Sequence, residues 1–164
     1  MIAEKLGCSV FDLKTRLSDP ENLLHINTWL ANQRVITLYK NQGNRYKELP
    51  FHYIVPQSAS YLPAYGIKVR GVTVEQHYHS RHRIQLLRPH NPCLAHYFHK
   101  NLYYYPLELM ALFPWDRASP SLGVRSFQFL EQRHFTFETQ YEVYLDWEKN
   151  RKIGKILDMR SITT

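Results

Sequence analysis

The sequence predicts an α+β fold that is mainly β, with two N-terminal helices leading into a small curved barrel of short strands. Apolar residues recur at helical spacing early in the chain, and from Arg34 the period changes to that of strands. Prolines and glycines then punctuate the pattern at short intervals. A length of 164 residues suits one ordinary domain with an appendage and is short for two. A domain is expected at 1–114 and an extension, read as strands, at 115–164.

Ile2, Leu6, Val10, Leu13 and Leu17 stand three or four apart, which is one face of an amphipathic helix over 2–17, weakened in its middle by Gly7, Cys8 and Ser9. Ser18-Asp19-Pro20-Glu21 offers an N-cap followed by proline in a first turn, so a second helix is expected over 20–30, with Trp29 as its anchor. Leu23, Leu24, Ile26, Asn27 and Leu30 mix apolar and polar positions along it. Both helices read as packing elements.

VITLYK is a β-branched and aromatic run, N-Q-G-N is a turn, and RYKELPFHYIV resumes extended structure, which together describe a hairpin. The stretch 56–60 breaks the pattern, 61–65 is a short aromatic segment, and 66–72 alternates as a half-buried strand. Thr73 with Gln76 three residues on has the spacing of a capping box, which predicts a short helix from 74 to about 83. IQLLRP, PCLAHYF and LYYYPLEL read as three further strands. A Pro/Ser-rich linker spans 114–123, and SFQFLEQRHFTFETQYEVYLDW alternates aromatic and polar residues as edge strands do.

The formal net charge is +7 with a pI near 9.4, and nine histidines can add charge below neutrality, so an anionic partner is favoured. Aromatics, histidines and arginines interleave most densely over 72–110. Arg and imidazolium neutralise phosphate, tyrosine adds a directed hydroxyl, and flat rings stack on bases without reading them. On composition alone, a basic, tyrosine-rich sheet surface with no ligand is an equal reading. Cys8 and Cys93 lie far apart without a C-x-x-C pair, so neither a zinc site nor a disulfide framework is written, and free thiols are expected. His77-x-His79-x-x-His82 is a poor metal set, because no carboxylate stands among the three and neither helix nor strand puts them on one face. No apolar run approaches the ~20 residues of a membrane span, and the first residues lack a signal-peptide pattern. A soluble, intracellular protein is expected.

Val74-Glu75-Gln76-His77-Tyr78, Arg81-His82-Arg83-Ile84, Arg88-Pro89-His90-Asn91-Pro92-Cys93-Leu94 and Tyr104-Tyr105-Pro106-Leu107-Glu108 occur in that order. Together they closely resemble the PAZ domain of Argonaute proteins. The matching family text runs V-x-Q-Y-[FY]-x-x-[KR]-[YH]-x-[IL], then R-Y-P-H-L-P-C-L, then Y-L-P-[ML]-E. The resemblance covers about 34–112 well and the helical stretch before it loosely, and leaves the last fifty residues uncovered. It implies an OB-like small β-barrel with a strand-helix appendage over a cleft, and 1–114 as the PAZ domain. It also implies a non-catalytic module that anchors the 3′ end of a single-stranded small guide RNA in an Argonaute-type gene-silencing protein.

In that family tyrosines and a histidine hold the terminal phosphate. Carried over by position, the first helix tyrosine falls on His77, the aromatic or histidine five residues later on His82, and the strand tyrosine on Tyr46 with Arg45 and Lys47 as basic neighbours. Tyr39 takes the upstream place where the family often has histidine, and Tyr61 falls on the appendage phenylalanine that stacks on the terminal base. Tyr78 and Arg81 belong to the same helix wording, Lys100 or Asn101 stands near the basic loop residue, Tyr104 matches the tyrosine of Y-L-P-[ML]-E, and Tyr105 replaces its leucine. His82 reaches the cleft only if the helix ends there, because residues five apart on a helix diverge by roughly 140°. With His77 in place of tyrosine, the hold on phosphate is expected to weaken as pH rises past ~6.5. Cys93, Leu94, Pro106 and Leu107 read as core and turn residues, and Glu108 as a buried carboxylate paired within the fold.

The alternative is a PAZ-like domain whose RNA pocket has decayed and which binds a protein. His77 for tyrosine and Tyr105 for leucine allow it; the aromatic and basic residues kept at most pocket positions argue against it. No cofactor is expected, and the partners are the 3′ end of a single-stranded small RNA and a protein engaged through 115–164. The protein is expected to be a monomer without membrane contact, in the cytoplasm with RNA granules or the nucleus as further locations.

Overall fold

The computed structural model describes residues 1–41, 43–64, 71–112 and 128–131. Within them the chain forms a small α+β domain. The helices are α1 (Ile2–Leu6), α2 (Leu13–Leu17), α3 (Pro20–Leu30) and α4 (Val74–Arg81). One antiparallel sheet has the order β2-β1-β6-β7, from β1 (Arg34–Lys40), β2 (Tyr46–Pro50), β6 (Met110–Leu112) and β7 (Gln128–Phe129). The other has the order β3-β4-β5, from β3 (Tyr53–Ser58), β4 (Pro92–Phe98) and β5 (Asn101–Pro106).

The helix expected over 2–17 breaks at Gly7, whose φ of 66° is left-handed. The Gly7 and Cys8 amides bond back to the carbonyls of Glu4 and Ala3, closing α1, and a 3-10 turn (Val10–Asp12) leads into α2. The apolar face survives the break, with Ile2, Leu13 and Leu17 fully buried and Leu6 and Val10 packed beside them. Helix α3 starts where expected, with Asp19 accepting from the Glu21 amide at 3.1 Å and Pro20 in the first turn. Its anchors are Ile26 and Leu30; Trp29 is instead exposed, with the Lys5 ammonium over its ring. Asn27 ties this helix to β3, since its Nδ2 donates to the Ile54 carbonyl at 3.2 Å and its Oδ1 accepts from the Ile54 amide at 2.7 Å. Strand β3 is an edge among the described strands, so one side chain satisfies both outward backbone groups of that residue.

The β1/β2 hairpin forms as expected around its Asn/Gly turn, where Asn41 Oδ1 accepts from the amides of Gly43 and Arg45 at 3.0 and 3.2 Å. Three other expectations are corrected. RYKELPFHYIV is two strands in two sheets, because the chain leaves β2 at Pro50 and enters β3 at Tyr53. IQLLRP is no strand, and two of its amides find a side chain instead of a ladder: Leu87 and Arg88 donate to the Glu108 carboxylate at 3.0 and 3.2 Å. LYYYPLEL splits into β5, a 3-10 turn (Leu107–Leu109) and β6. Where a barrel was expected, the described strands form two antiparallel sheets with no ladder joining them. Pro50 ends β2, Pro92 opens β4 and Pro106 ends β5, and a proline has no amide with which to continue pairing. The strand expected at 66–72 falls mainly, and the linker and most of the C-terminal strands expected beyond 112 likewise, outside the described residues.

The helices and both sheets share one core, where Ile2, Leu13, Leu17, Ile26 and Leu30 meet Val35, Leu49, Ile54, Leu94 and Met110. A second cluster of Val74, Tyr78, Leu86, Cys93 and Leu109 fixes α4 to β4 and the 3-10 turn. The chain returns to this body at 128–131, where β7 pairs with β6 and Leu130 is fully buried in the core. Glu131 follows it inside, accepting from Asn91 Nδ2 at 3.1 Å and Arg88 Nη1 at 3.4 Å. Burial, together with the neighbouring Glu108 carboxylate, pushes its pKa up to about 7 against the pull of Asn91 and Arg88.

Both sets of contacts can be tested through stability. Asn27→Ala leaves the Ile54 amide and carbonyl without their partner and is expected to cost about 1–3 kcal/mol in urea denaturation; a loss below about 0.5 kcal/mol contradicts the assignment. Glu131 has a folded pKa raised above its unfolded value, so its contribution is complete below about pH 4.5 and lost as pH rises through about 7. The stability difference between the wild type and Glu131→Gln is therefore expected to swing against the wild type between about pH 5 and about pH 8, and a difference constant over that range contradicts it.

Candidate functional site

Three local devices aim side chains into one hollow between β1, α4 and β5. A bulge interrupts the β1/β2 register between Ile36 and Lys40. There Thr37 Oγ1 donates to the Tyr39 carbonyl at 3.0 Å and accepts from the Lys47 amide at 2.8 Å, which sets Tyr39 off the regular pleat. The capping box forms in full: Thr73 Oγ1 accepts from the Gln76 amide at 3.2 Å, and Gln76 Oε1 accepts from the Thr73 amide at 3.0 Å. That fixes the start of α4, and α4 ends at Arg81, so His82 is the cap residue and turns inward as its use in a cleft requires. Finally, β5 is an edge among the described strands, and consecutive residues from both of its faces border the hollow.

The resulting pocket has a volume of about 430 Å³, in the range of small-ligand sites. Its polar lining comprises Tyr39, Tyr78, Tyr103, Tyr104, Tyr105, His77, His82, Lys47, Arg81, Thr37 and Asn41, with no carboxylate among the described residues. Tyr39 and Tyr78 share a hydroxyl hydrogen bond of 2.6 Å with their rings edge to face. The His82 ring lies 4.8 Å from Tyr39, 5.2 Å from Tyr78 and 5.3 Å from His77. Lys47 Nζ donates to the Tyr105 hydroxyl at 3.3 Å.

Burial holds the Tyr39 and Tyr78 hydroxyls well above the usual phenol range, so both stay protonated. His77 and His82 are lowered from the ordinary imidazole value, first by burial, then by Arg81 and, for His77, by His82 as well. The neutral form of both rings is therefore favoured. Neutral donors, two permanent cations and flat rings, with no described carboxylate beside them, suit a small anion attached to an aromatic group.

Of the residues expected at an RNA end, the pocket gathers Tyr39, Lys47, His77, Tyr78, Arg81, His82, Tyr104 and Tyr105. Four lie elsewhere. Tyr46 is buried at 7 % exposure outside the lining, with Lys40 over its ring. Arg45 is exposed at the end of the β1/β2 turn, and Lys100 is exposed in the β4/β5 turn. Tyr61 is 76 % exposed and borders a separate shallow hollow with Lys14, Pro56, Gln57, Ser58 and Ser60. Tyr103, Thr37 and Asn41 enter the lining without having been expected. The run of three tyrosines was the available signal for Tyr103, but strand alternation argues against neighbours sharing a site unless the strand is an edge. His79 is exposed and outside the lining, and among the described residues no three His, Cys, Asp or Glu side chains are placed to hold a metal. No described helix is long and apolar enough to cross a membrane. A scan against protein-family models finds no match for this chain, and a search of the curated proteins finds none either.

Proposed function

We propose that this chain is a PAZ-type module that anchors the 3′ end of a single-stranded small guide RNA, within an Argonaute-type gene-silencing protein and without catalysis of its own. The observation that carries the reading is the convergence of Tyr39, Tyr78, His77, His82, Lys47 and Tyr104 on one pocket without a described carboxylate. In this reading the two sheets are halves of an OB-like barrel, and α4 belongs to the appendage over the cleft. The terminal phosphodiester accepts from the imidazole and phenol donors with Lys47 and Arg81 supplying charge, and the terminal base lies against the tyrosines of β5. Recognition is of the terminus and its ribose hydroxyls more than of base identity, because rings that only stack accept any base. The module acts as a monomer in the cytoplasm.

Fluorescence polarisation with a short RNA ending in a 3′ hydroxyl, beside the same RNA ending in a 3′ phosphate and a blunt duplex, tests this. The free hydroxyl end is expected to bind best, and His82→Ala or Lys47→Ala to weaken it roughly tenfold or more, the cost of a charged or charge-assisted hydrogen bond. Equal, salt-sensitive binding of all three RNAs means a basic surface alone and contradicts the proposal.

The same titration has a pH signature. His77 and His82 start below their ordinary value in the free protein, and a bound phosphate favours the imidazolium and raises them in the complex. The complex therefore takes up protons. Affinity is expected to rise by roughly five- to tenfold per histidine as pH falls through the complex value, and to level off below the depressed free value. This places the lower end of the window below the ~6.5 of an ordinary histidine. Unchanged affinity from about pH 8 to about pH 5 contradicts a phosphate held by these rings.

A further inference from the structure

Beyond the pocket, the β4/β5 hairpin carries a row of rings on the sheet face that also presents Tyr103. His52, at the entry to β3, stacks its ring on His96 with centroids 4.3 Å apart and planes 27° apart. His96, itself buried, is followed by Phe98 at 6.2 Å and 21°, and the Phe98 and His99 rings meet edge to face at 3.9 Å. His96 pairs directly across with Tyr103 of the pocket wall. Lys47 links the row to the pocket, its Nζ standing 5.9 Å from the Phe98 ring, 6.0 Å from Tyr103 and 5.9 Å from Tyr105. Phe98 is 49 % exposed, an expensive place for phenylalanine on a surface that needs only to stay soluble.

Two further observations identify the kind of occupant. Residues 91–106 contain no Asp or Glu, so the row meets an anionic chain without repulsion from its own hairpin. The hairpin also closes through His99 and Lys100 with φ of 48° and 64°. Two-residue loops of that conformation are normally Asn-Gly or Asp-Gly, and larger side chains there cost stability. The strained loop presents an ammonium at the tip and a flat ring that packs against Phe98.

We propose that this hairpin is a stacking track for the nucleotides immediately upstream of the 3′ end, with Phe98 as its principal platform. The inference rests on the pocket being an RNA-end site. A strand leaving the pocket past Tyr103 and Lys47 lays its next bases on Phe98 and the exposed imidazoles of His52 and His99, with its phosphates toward Lys47 and Lys100. Stacking of this kind is indifferent to sequence, so the track adds affinity with length and no base preference.

The test uses the full chain and three RNAs with 3′ hydroxyls: a dinucleotide, a hexanucleotide, and the hexanucleotide with abasic ribose at its four upstream positions. The hexanucleotide is expected to bind at least about fivefold more tightly than the dinucleotide, the gain of one stacked base, and the abasic form to lose that gain. Phe98→Ala is expected to abolish the gain without changing dinucleotide affinity, and Phe98→Tyr to keep it. A length gain that survives abasic substitution or Phe98→Ala overturns the track. If the gain depends on Phe98 but ignores a blocked 3′ end, the end-pocket reading fails, and the hairpin stacks bases without the register to a 3′ end that the track requires. If the dinucleotide binds by its end and Phe98 adds nothing, the track fails and the pocket stands.

Discussion

The hydrogen bond between the Tyr39 and Tyr78 hydroxyls, 2.6 Å long and largely out of water, is the constraint on which the site depends. Tyr39 belongs to the sheet built on β1, whereas Tyr78 belongs to α4, which is packed on the other sheet through Val74, Cys93 and Leu109. No backbone ladder joins the two sheets among the described residues, so side chains must fix the gap between them on this flank. Leaving either hydroxyl buried without its partner costs on the order of 1–3 kcal/mol. The pair therefore holds the width of the pocket, and His82 rests on both rings at once.

The same burial governs the electrostatics. It keeps the phenols protonated and favours the neutral form of the imidazoles. Lys47 and Arg81 supply the permanent charge from the wall and the rim. In the proposed function, an entering anion meets donors already oriented by ring packing and turns weak imidazole donors into cationic ones. Preorganisation of this kind limits what a loose, basic surface loses on ordering its side chains. Lys47 is the shared component, since it reaches Tyr105 within the pocket and Phe98 outside it.

Local signals were legible and long-range ones were not. The capping box at Thr73 and Gln76, the Asp19-Pro20 helix start and the Asn/Gly hairpin each concern atoms within a few residues of one another, and each forms as its spacing predicts. Glu108 was correctly read as buried, but its partners, the amides of Leu87 and Arg88, lie about twenty residues away and made IQLLRP look like a strand in need of a ladder. Strand pairing was hidden for a related reason: period-two patterning identifies strands and is silent on which of them pair. In the site, the helix residues fell where expected because their positions follow from the cap. Tyr46 and Tyr61 lie outside the pocket, because the bulge in β1 and the switch of sheets between Pro50 and Tyr53 decide which tyrosines face the hollow. Tyr103 was hidden by alternation, a rule that an edge strand relaxes.

Everything proposed for the site turns on whether the pocket between β1, α4 and β5 receives a phosphodiester at the end of an RNA. The most direct measurement is an NMR titration of the histidine imidazoles with a 3′-hydroxyl dinucleotide, too short to reach beyond the pocket. His77 and His82 are expected to move toward imidazolium shifts and to titrate at higher pH in the complex, while His25 on the exposed face of α3 stays in place. Saturable binding that leaves His77 and His82 unmoved would contradict it.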